Sequence, residues 1–170
     1  QVWMAENMRY LPQVNNISES SETEARYYVY DYDGNNLDDA TATDEYITYG
    51  TLYNWEAALQ ACPEGWHLPN NAEWEELLNF AGGGSEAATR LKSATAWSVN
   101  NINGTDEYGF SILPAGEKYQ SSFTYLHSYA SFWLAEENSN LDALYSYVQN
   151  TIKVEDYEKY QAVSVRCLKD

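Results

Sequence analysis

The residues best suited to chemistry lie in the last third of the chain, where tyrosines alternate with small and apolar residues. In "ALYSYV", Tyr145 and Tyr147 fall on one face of a predicted strand, while Leu144, Ser146 and Val148 fall on the other. Tyrosine offers a large contact area at a small cost in conformational entropy, as in antibody loops. We therefore predict a partner-docking surface here. Its predicted members are Trp133, Glu136, Asn138, Tyr145, Tyr147 and Tyr157.

The segment 135–161 that carries most of this surface is also rich in Asp, Glu and Asn. Its acidic rim favours a basic or a neutral polyhydroxy partner, which makes a protein or a glycan the expected ligand. The alternative is a solvated acidic hairpin whose tyrosines only pack on one another. A second alternative for the exposed aromatic residues is self-association.

Hard oxygen ligands are concentrated in "DYDGNNLDD", residues 31–39, and such ligands suit Ca²⁺. The candidate ligands are Asp31, Asp33 and Asp38. The spacing does not match an EF-hand, because Gly34 follows Asp31 too early. The alternative is a hairpin turn, for which Asp-Gly is a strong signal and which we favour over calcium. No other cofactor is indicated.

Catalytic groups are less evident than binding groups. The two histidines are His67 and His127, and His67 in "GWHLP" stands beside predicted core, so we expect it to be packed and hydrogen-bonded. The sequence carries neither a serine-nucleophile elbow nor a phosphate loop. We therefore predict that the protein is not an enzyme.

The two cysteines, Cys62 and Cys167, lie on predicted apolar faces. Cys62 shares a helical face with Trp55 and Leu59, and Cys167 shares a strand face with Val165. A bridge between them would tie a helix to the sheet across a loop of about 100 residues. We predict this disulfide, with two separate buried thiols as the alternative.

The elements that must position these groups form an α+β order of one early strand, two helices and then a run of strands. In the second helix, which a capping box from Asn70 to Glu73 begins, Trp74 and Leu77 fall at core spacing. We expect the two helices to pack on the sheet through Trp55, Leu59, Trp74 and Leu77, joined by Trp66. The predicted helices are 51–62 and 71–81, and the predicted strands are 27–36, 108–116, 129–136, 142–154 and 160–170.

The composition limits the classes of protein to consider. The chain has 170 residues, which suits a single domain over 1–170, and a net charge of −17, which makes nucleic acid or an anionic membrane a poor partner. Sixteen Tyr and six Trp provide enough apolar surface for folding, and no apolar run is long enough to insert into a membrane. Acidity, few lysines and two cysteines indicate an extracellular or cell-surface protein. Since the chain begins at Gln1, we expect a processed protein or an excised domain.

Several long blocks of the sequence together resemble the Fibrobacter succinogenes major paralogous domain, over nearly the whole chain. The blocks are "VWMAEN" (2–7), "YGTLYNWEAALQACPEGWHLPNNAEWEELL" (49–78), "LKSATAW" (91–97), "NGTDEYGFSILPAG" (103–116), "FWLAEE" (132–137) and "VSVRCLKD" (163–170). The resemblance implies a C-type lectin-like fold, with two helices packed on twisted antiparallel sheets and Cys62–Cys167 as its core bridge. It also implies a secreted or surface-displayed bacterial domain, and it implies no activity.

The chain departs from that family in one respect, because relatives often carry two more cysteines ahead of the "YG-LY-W" block. Here the corresponding segment 27–50 has none, so we expect packing or a metal to hold it. Taken together, these observations predict a non-catalytic extracellular ligand-binding or adhesion module. The alternative function is a structural subunit of a surface filament or larger adhesin.

Overall fold

The computed structural model describes residues 1–98 and 102–170. Within these ranges the chain forms a mixed α+β structure of short helices and small antiparallel sheets. The helices are α1 (Leu37–Thr41), α2 (Asp44–Tyr49), α3 (Trp55–Ala58), α4 (Asn71–Phe80) and α5 (Gly84–Leu91). The strands are β1 (Tyr27–Tyr28), β2 (Leu52–Tyr53), β3 (Trp66–His67), β4 (Glu117–Tyr119), β5 (Ser122–Thr124), β6 (Ala130–Glu137), β7 (Asp142–Val148), β8 (Ile152–Glu158) and β9 (Leu168–Lys169).

The largest sheet is a three-stranded antiparallel meander in the order β6-β7-β8. Two-residue alternation gives it two chemically different faces. The helix face packs against α4 and carries Phe132, Leu134, Leu144, Ser146, Val148, Ile152 and Val154. The opposite side, which we call the tyrosine face, carries Ser131, Trp133, Ala143, Tyr145, Tyr147, Lys153, Glu155 and Tyr157. The predicted division of β7 between Tyr145 and Tyr147 on one face and Leu144, Ser146 and Val148 on the other is confirmed.

Helix α4 forms where its capping box and apolar spacing predict it. The Asn70 side chain accepts a hydrogen bond from the Glu73 backbone N–H, and the Glu73 carboxylate accepts one from the Asn70 N–H. Trp74 is fully buried, donates from Nε1 to Ser146 Oγ at 2.9 Å and packs against Phe132. Burying this indole fixes the helix on the sheet.

Three glycines with positive φ, Gly82, Gly83 and Gly84, turn the chain directly into α5. The sequence predicts the end of α4 at this point, and it does not predict α5. The buried residues of α5, Ala87, Ala88 and Leu91, extend the core below the helix face.

The first predicted helix, over 51–62, is wrong in extent. Helix α3 covers only Trp55–Ala58, because Asn54 caps it by accepting a hydrogen bond from the Ala57 N–H and the chain before it pairs as β2. Leu59 is 45% exposed, so its predicted core position is also wrong. Trp55 is buried as predicted, and Trp66 packs at the edge of the same cluster.

The predicted strand over 27–36 and its Asp-Gly hairpin are also wrong. Strand β1 ends after two residues, and Asn36 then accepts hydrogen bonds from the N–H groups of Asp38 and Asp39 to cap α1. A side chain that satisfies free helix N–H groups, with two carboxylates in the first turn, favours a helix here over a hairpin. The segment 27–50 is therefore held partly by two short helices.

The predicted strand over 108–116 contains only isolated bridges, such as that between Lys92 and Ile112. The later strands are present, although the predicted strand 142–154 divides into β7 and β8, and regular pairing in the last predicted strand is limited to β9.

Cys62 and Cys167 form the predicted disulfide, with Cα atoms 5.8 Å apart. Cys167 is buried in a cluster with Tyr53, Trp133, Val163 and Val165, below the tyrosine face. The bridge therefore fixes the C-terminal strand to the end of the α3 segment. None of the helices in the described part of the chain has both the length and the apolar character needed to cross a membrane.

Candidate binding cleft

A cleft of about 410 Å³ opens on the tyrosine face, and we call it the tyrosine cleft. Six tyrosines, two glutamates and one glutamine line it. These residues are Glu117, Tyr119, Tyr125, Tyr129, Tyr145, Tyr147, Gln149, Glu155 and Tyr157.

Strand pairing and ring stacking position the tyrosines of β7 and β8. The rings of Tyr145 and Tyr157 are stacked, with centroids 4.3 Å apart and an interplanar angle of 16°. Tyr145 also stacks on Tyr147 at 5.8 Å, and the rings of Tyr147 and Tyr129 are T-shaped with centroids 6.3 Å apart. Each ring restricts its neighbours, so the cleft offers a preformed aromatic wall.

Glu117 is the buried acid of this cleft, only 6% exposed. Tyr157 donates its hydroxyl hydrogen bond to Glu117 Oε1 at 2.9 Å, and Ser131 donates to Oε2 at 3.4 Å. Burial raises the pKa of the Glu117 carboxyl, and the two hydrogen bonds oppose that rise. The sequence analysis did not identify Glu117, although its alternation with Tyr119 across Lys118 was a signal that both side chains face one way.

Two phenols of the cleft, those of Tyr145 and Tyr157, have raised pKa values. Burial raises the pKa of Tyr145, and the nearby Glu117 raises it further. Burial likewise raises the pKa of Tyr157, again with a contribution from Glu117. At physiological pH these two tyrosines therefore carry neutral hydroxyl groups that can donate hydrogen bonds.

A model of one protein family, described as the Fibrobacter succinogenes major domain, matches residues 1–169. The chain belongs to this family. Nothing among the curated proteins matches it, and neither does any solved structure. The predicted resemblance is thereby confirmed, and the matched span of the Fibrobacter succinogenes major domain includes every residue of the cleft.

Six residues were predicted for the docking surface of this Fibrobacter succinogenes major domain. The structure brings three of them together in the cleft, namely Tyr145, Tyr147 and Tyr157. The predicted surface position of Trp133 is wrong, because its indole is 0% exposed. Trp133 Nε1 donates to the Tyr53 carbonyl at 2.7 Å, and its ring lies 6.4 Å from Tyr145 and 6.0 Å from Tyr157. Trp133 supports the wall of the cleft from below.

Glu136 and Asn138 do not line the cleft either. The Glu136 carboxylate accepts hydrogen bonds from the Asn71 backbone N–H at 2.8 and 2.9 Å, so it stabilises the N-terminus of α4. Asn138 is exposed in the turn after β6 and donates its side-chain amide to Asp156. The irregularity in β6 between Trp133 and Glu137 separates these two residues from the regular alternation of the tyrosine face.

The predicted calcium ligands are not brought together. Asp33 accepts a hydrogen bond from the Ile17 N–H at 3.1 Å, and Asp38 lies in the first turn of α1. Among the described residues, no group of three or more His, Cys, Asp or Glu side chains is placed to hold a metal ion. The placement of Asp31, Asp33 and Asp38 as one site is therefore wrong.

His67 is hydrogen-bonded as predicted, and it is partly exposed. Its Nδ1 lies 2.6 Å from Asp170 Oδ1, and its Nε2 lies 3.1 Å from Glu73 Oε1. The hydrogen bond with Asp170 raises the pKa of His67, and Glu73 adds to this effect. The contacts join β3, the C-terminus and the first turn of α4.

Proposed function

We propose that this domain is a non-catalytic, extracellular ligand-binding or adhesion module of a bacterial surface or secreted protein. We further propose that its fold is C-type lectin-like and that the tyrosine cleft is its binding site. The observation that carries this proposal is the stacked row of Tyr147, Tyr145 and Tyr157 beside the buried carboxylate of Glu117.

Two features of this row support binding over simple packing. The tyrosines are half-buried, so each ring is fixed by its neighbours while part of it still faces solvent. Preformed aromatic walls with a few polar groups are typical of ligand pockets, and a volume of about 410 Å³ is within their usual range. Ordering costs on binding are low when the side chains are already stacked.

The extracellular part of the proposal is supported by the disulfide between Cys62 and Cys167. Such bonds persist mainly in oxidising compartments. The net charge of −17 is consistent with a partner that is basic or neutral.

An array of glycans and proteins probed with the intact domain tests the proposal. We expect hits that the double substitution Tyr145→Ala and Tyr147→Ala abolishes. The control is Tyr10→Ala, since this exposed tyrosine lies outside the cleft. The cleft is not the site if the first pair keeps wild-type binding while circular dichroism shows an intact fold.

A structural subunit of a surface filament or larger adhesin is the second candidate, and one observation favours it. An apolar groove of about 400 Å³ beside α4 includes Phe80, which is 69% exposed, and Tyr108, whose ring lies 4.9 Å from that of Phe80. Exposed aromatic pairs of this kind are frequent in protein interfaces. Light scattering at increasing salt concentration tests this candidate. Oligomers that form in the wild type and are absent in the Phe80→Glu variant would favour it. A protein that stays monomeric under all conditions would exclude it.

A further inference from the structure

The tyrosine cleft combines aromatic faces with acidic groups. Glu117 lies at its buried side and Glu155 at its exposed side, and none of the described residues that line it is a lysine, arginine or histidine. A concave site lined by one sign of charge, with walls of low dielectric constant, concentrates ions of the opposite sign. The cleft is therefore electrostatically suited to a cation.

Glu117 is short of partners for a buried carboxylate. A carboxylate offers about four acceptor positions. Within the described ranges Glu117 receives two neutral hydroxyl donors, one of them at 3.4 Å, and it forms no ion pair. Lys118, its neighbour in β4, points elsewhere, since its Nζ donates to Ser20 at 2.8 Å. A buried negative charge without a counter-ion is costly, and a bound cation would offset that cost.

The ring faces of the cleft suit the same kind of ligand. Cations are attracted to the faces of aromatic rings, and cages of such rings bind quaternary ammonium groups. Lys153, which pairs with Tyr147 across β7 and β8, already places its Nζ 5.8 Å from the centre of the Tyr147 ring at the edge of the cleft. Lys153 itself lies at this edge and is not among the residues that line the cleft.

We propose that the tyrosine cleft binds an organic cation, with the tyrosine rings that line the cleft around the charged head and Glu117 as its counter-ion. The ligand chemistry is an alkylated or primary ammonium, or a guanidinium. It is carried either by a free amine or by a lysine or arginine side chain of a partner protein. This inference rests on the proposed function, because it names the ligand class of the same site.

Isothermal titration of the intact domain with matched probes tests the inference. Choline is compared with 3,3-dimethylbutan-1-ol, which has the same shape without the charge, and with cellobiose as a neutral polyhydroxy probe. We expect choline to bind at least about tenfold more tightly than either neutral probe. A neutral probe that binds as tightly as choline and as the two cationic amino acid amides described next would overturn the inference.

Two further probes identify the source of the cation. Nα-acetyl-lysine amide and Nα-acetyl-arginine amide represent a partner side chain, and choline represents a free amine. Tighter binding of an amino acid amide assigns the cleft to a protein partner, and tighter binding of choline assigns it to a small amine. If none of the three cations binds, the inference is wrong.

Variants test the roles of the named residues. Glu117→Gln keeps the shape and the acceptor for Tyr157, so we expect it to fold and to weaken cation binding about tenfold. Glu155→Gln on the exposed side is a second variant, and it does not disturb the interior. We expect it to lower the affinity for the cation about two- to threefold. Tyr10→Ala again serves as the control. Wild-type affinity for choline in folded Glu117→Gln would contradict the counter-ion role.

The outcome for the cation is separable from that for the proposed function. If Tyr145→Ala with Tyr147→Ala abolishes binding on the array while no cation binds or competes, the cleft remains a binding site and only the ligand class is wrong. If array binding persists in that double variant, the proposed site itself is wrong.

Discussion

The two faces of the β6-β7-β8 sheet are built from the same alternating strands and have different chemistry. The helix face buries Phe132, Leu134 and Val148 against Trp74, with rings and aliphatic chains filling the interior. The tyrosine face stacks half-buried phenols around a cleft and keeps the carboxylate of Glu117 next to them. Continuous apolar burial of this kind serves stability, whereas an open aromatic wall with an incompletely paired acid is typical of a site kept for a ligand.

The tyrosine face is supported from below in a different way from the helix face. Under it lies a second cluster that contains Trp133 and the disulfide-bonded Cys167. Among the described residues no disulfide joins the helix face, which is held by packing and by the cap of α4. This contrast predicts that the two sides of the sheet respond to different perturbations.

The largest effect is expected from removal of the crosslink under the tyrosine face. Because Cys62 and Cys167 are separated by 105 positions, the paired substitution Cys62→Ala and Cys167→Ala should lower the free energy of unfolding by about 4–5 kcal/mol. Urea denaturation followed by tryptophan fluorescence measures this change. Wild type with reductant is the control and should lose a similar amount, and a loss below about 1 kcal/mol would show that packing alone holds this side.

On the helix face, Trp74→Ala should lower the free energy of unfolding by about 3–5 kcal/mol, because it leaves a large cavity between α4 and the sheet. Tyr147→Ala is the matched aromatic truncation on the other face, and we expect it to cost about 1 kcal/mol, since that ring is only half-buried. Chemical denaturation of both variants gives the two values. Equal losses would remove the contrast between the faces.

Local signals in the sequence predicted the elements that local chemistry controls. The capping box of Asn70 and Glu73 gave α4 its start, and the alternation through Tyr145 and Tyr147 gave β7 its two faces. The apolar neighbours of Cys167 placed its side chain inside the molecule. In each case the deciding interactions lie within a few residues along the chain.

Contacts between distant segments explain the errors in the predicted site. Trp133 lies on the tyrosine face as alternation requires, and it is buried because it packs in a cluster with Tyr53 and Val163, which come from two other segments. Glu136 is used by the N–H of Asn71, 65 positions earlier in the chain. Glu117 enters the cleft only because β4 lies beside the tyrosine face and Tyr157 reaches it. Alternation assigns a face to a residue, and it does not reveal which segment covers that face.

The third prediction concerns the stability cost of the cleft. Burial raises the pKa of Glu117 in the folded state, so the folded protein holds this proton more tightly than the unfolded chain does. The contribution of Glu117 to stability is therefore present at low pH and lost as the pH rises through its raised pKa. Glu117→Gln removes that loss and should raise the free energy of unfolding near neutral pH, on the order of 1 kcal/mol.

Denaturation of wild type and Glu117→Gln at several pH values between about 4 and 8 checks this prediction. The gain should be largest at the highest pH and should fade toward the acid end. Glu155→Gln is the control, because its carboxylate is exposed and its removal should change stability little. A Glu117→Gln variant that is less stable than wild type at neutral pH would indicate that the carboxylate belongs to the structural framework, and the contrast between the two faces would then weaken.

The smallest expected effect concerns His67, which links the two sides of the molecule. Its ring joins Asp170, close to the disulfide-bonded strand, to Glu73 in the first turn of α4. The hydrogen bond with Asp170 raises the pKa of His67 above its ordinary value of 6.5, so its contribution to stability is fully present below about pH 6.5 and is lost as the pH rises through the raised pKa. Because the side chain is 37% exposed, solvent screening limits the contribution to about 0.2–1 kcal/mol.

His67→Asn should therefore lower stability at about pH 5.5 and leave it nearly unchanged at about pH 9. An equal loss of stability at both pH values would show that the His67 ring acts through packing. The contacts of His67 with Asp170 and Glu73 would then not depend on its charge.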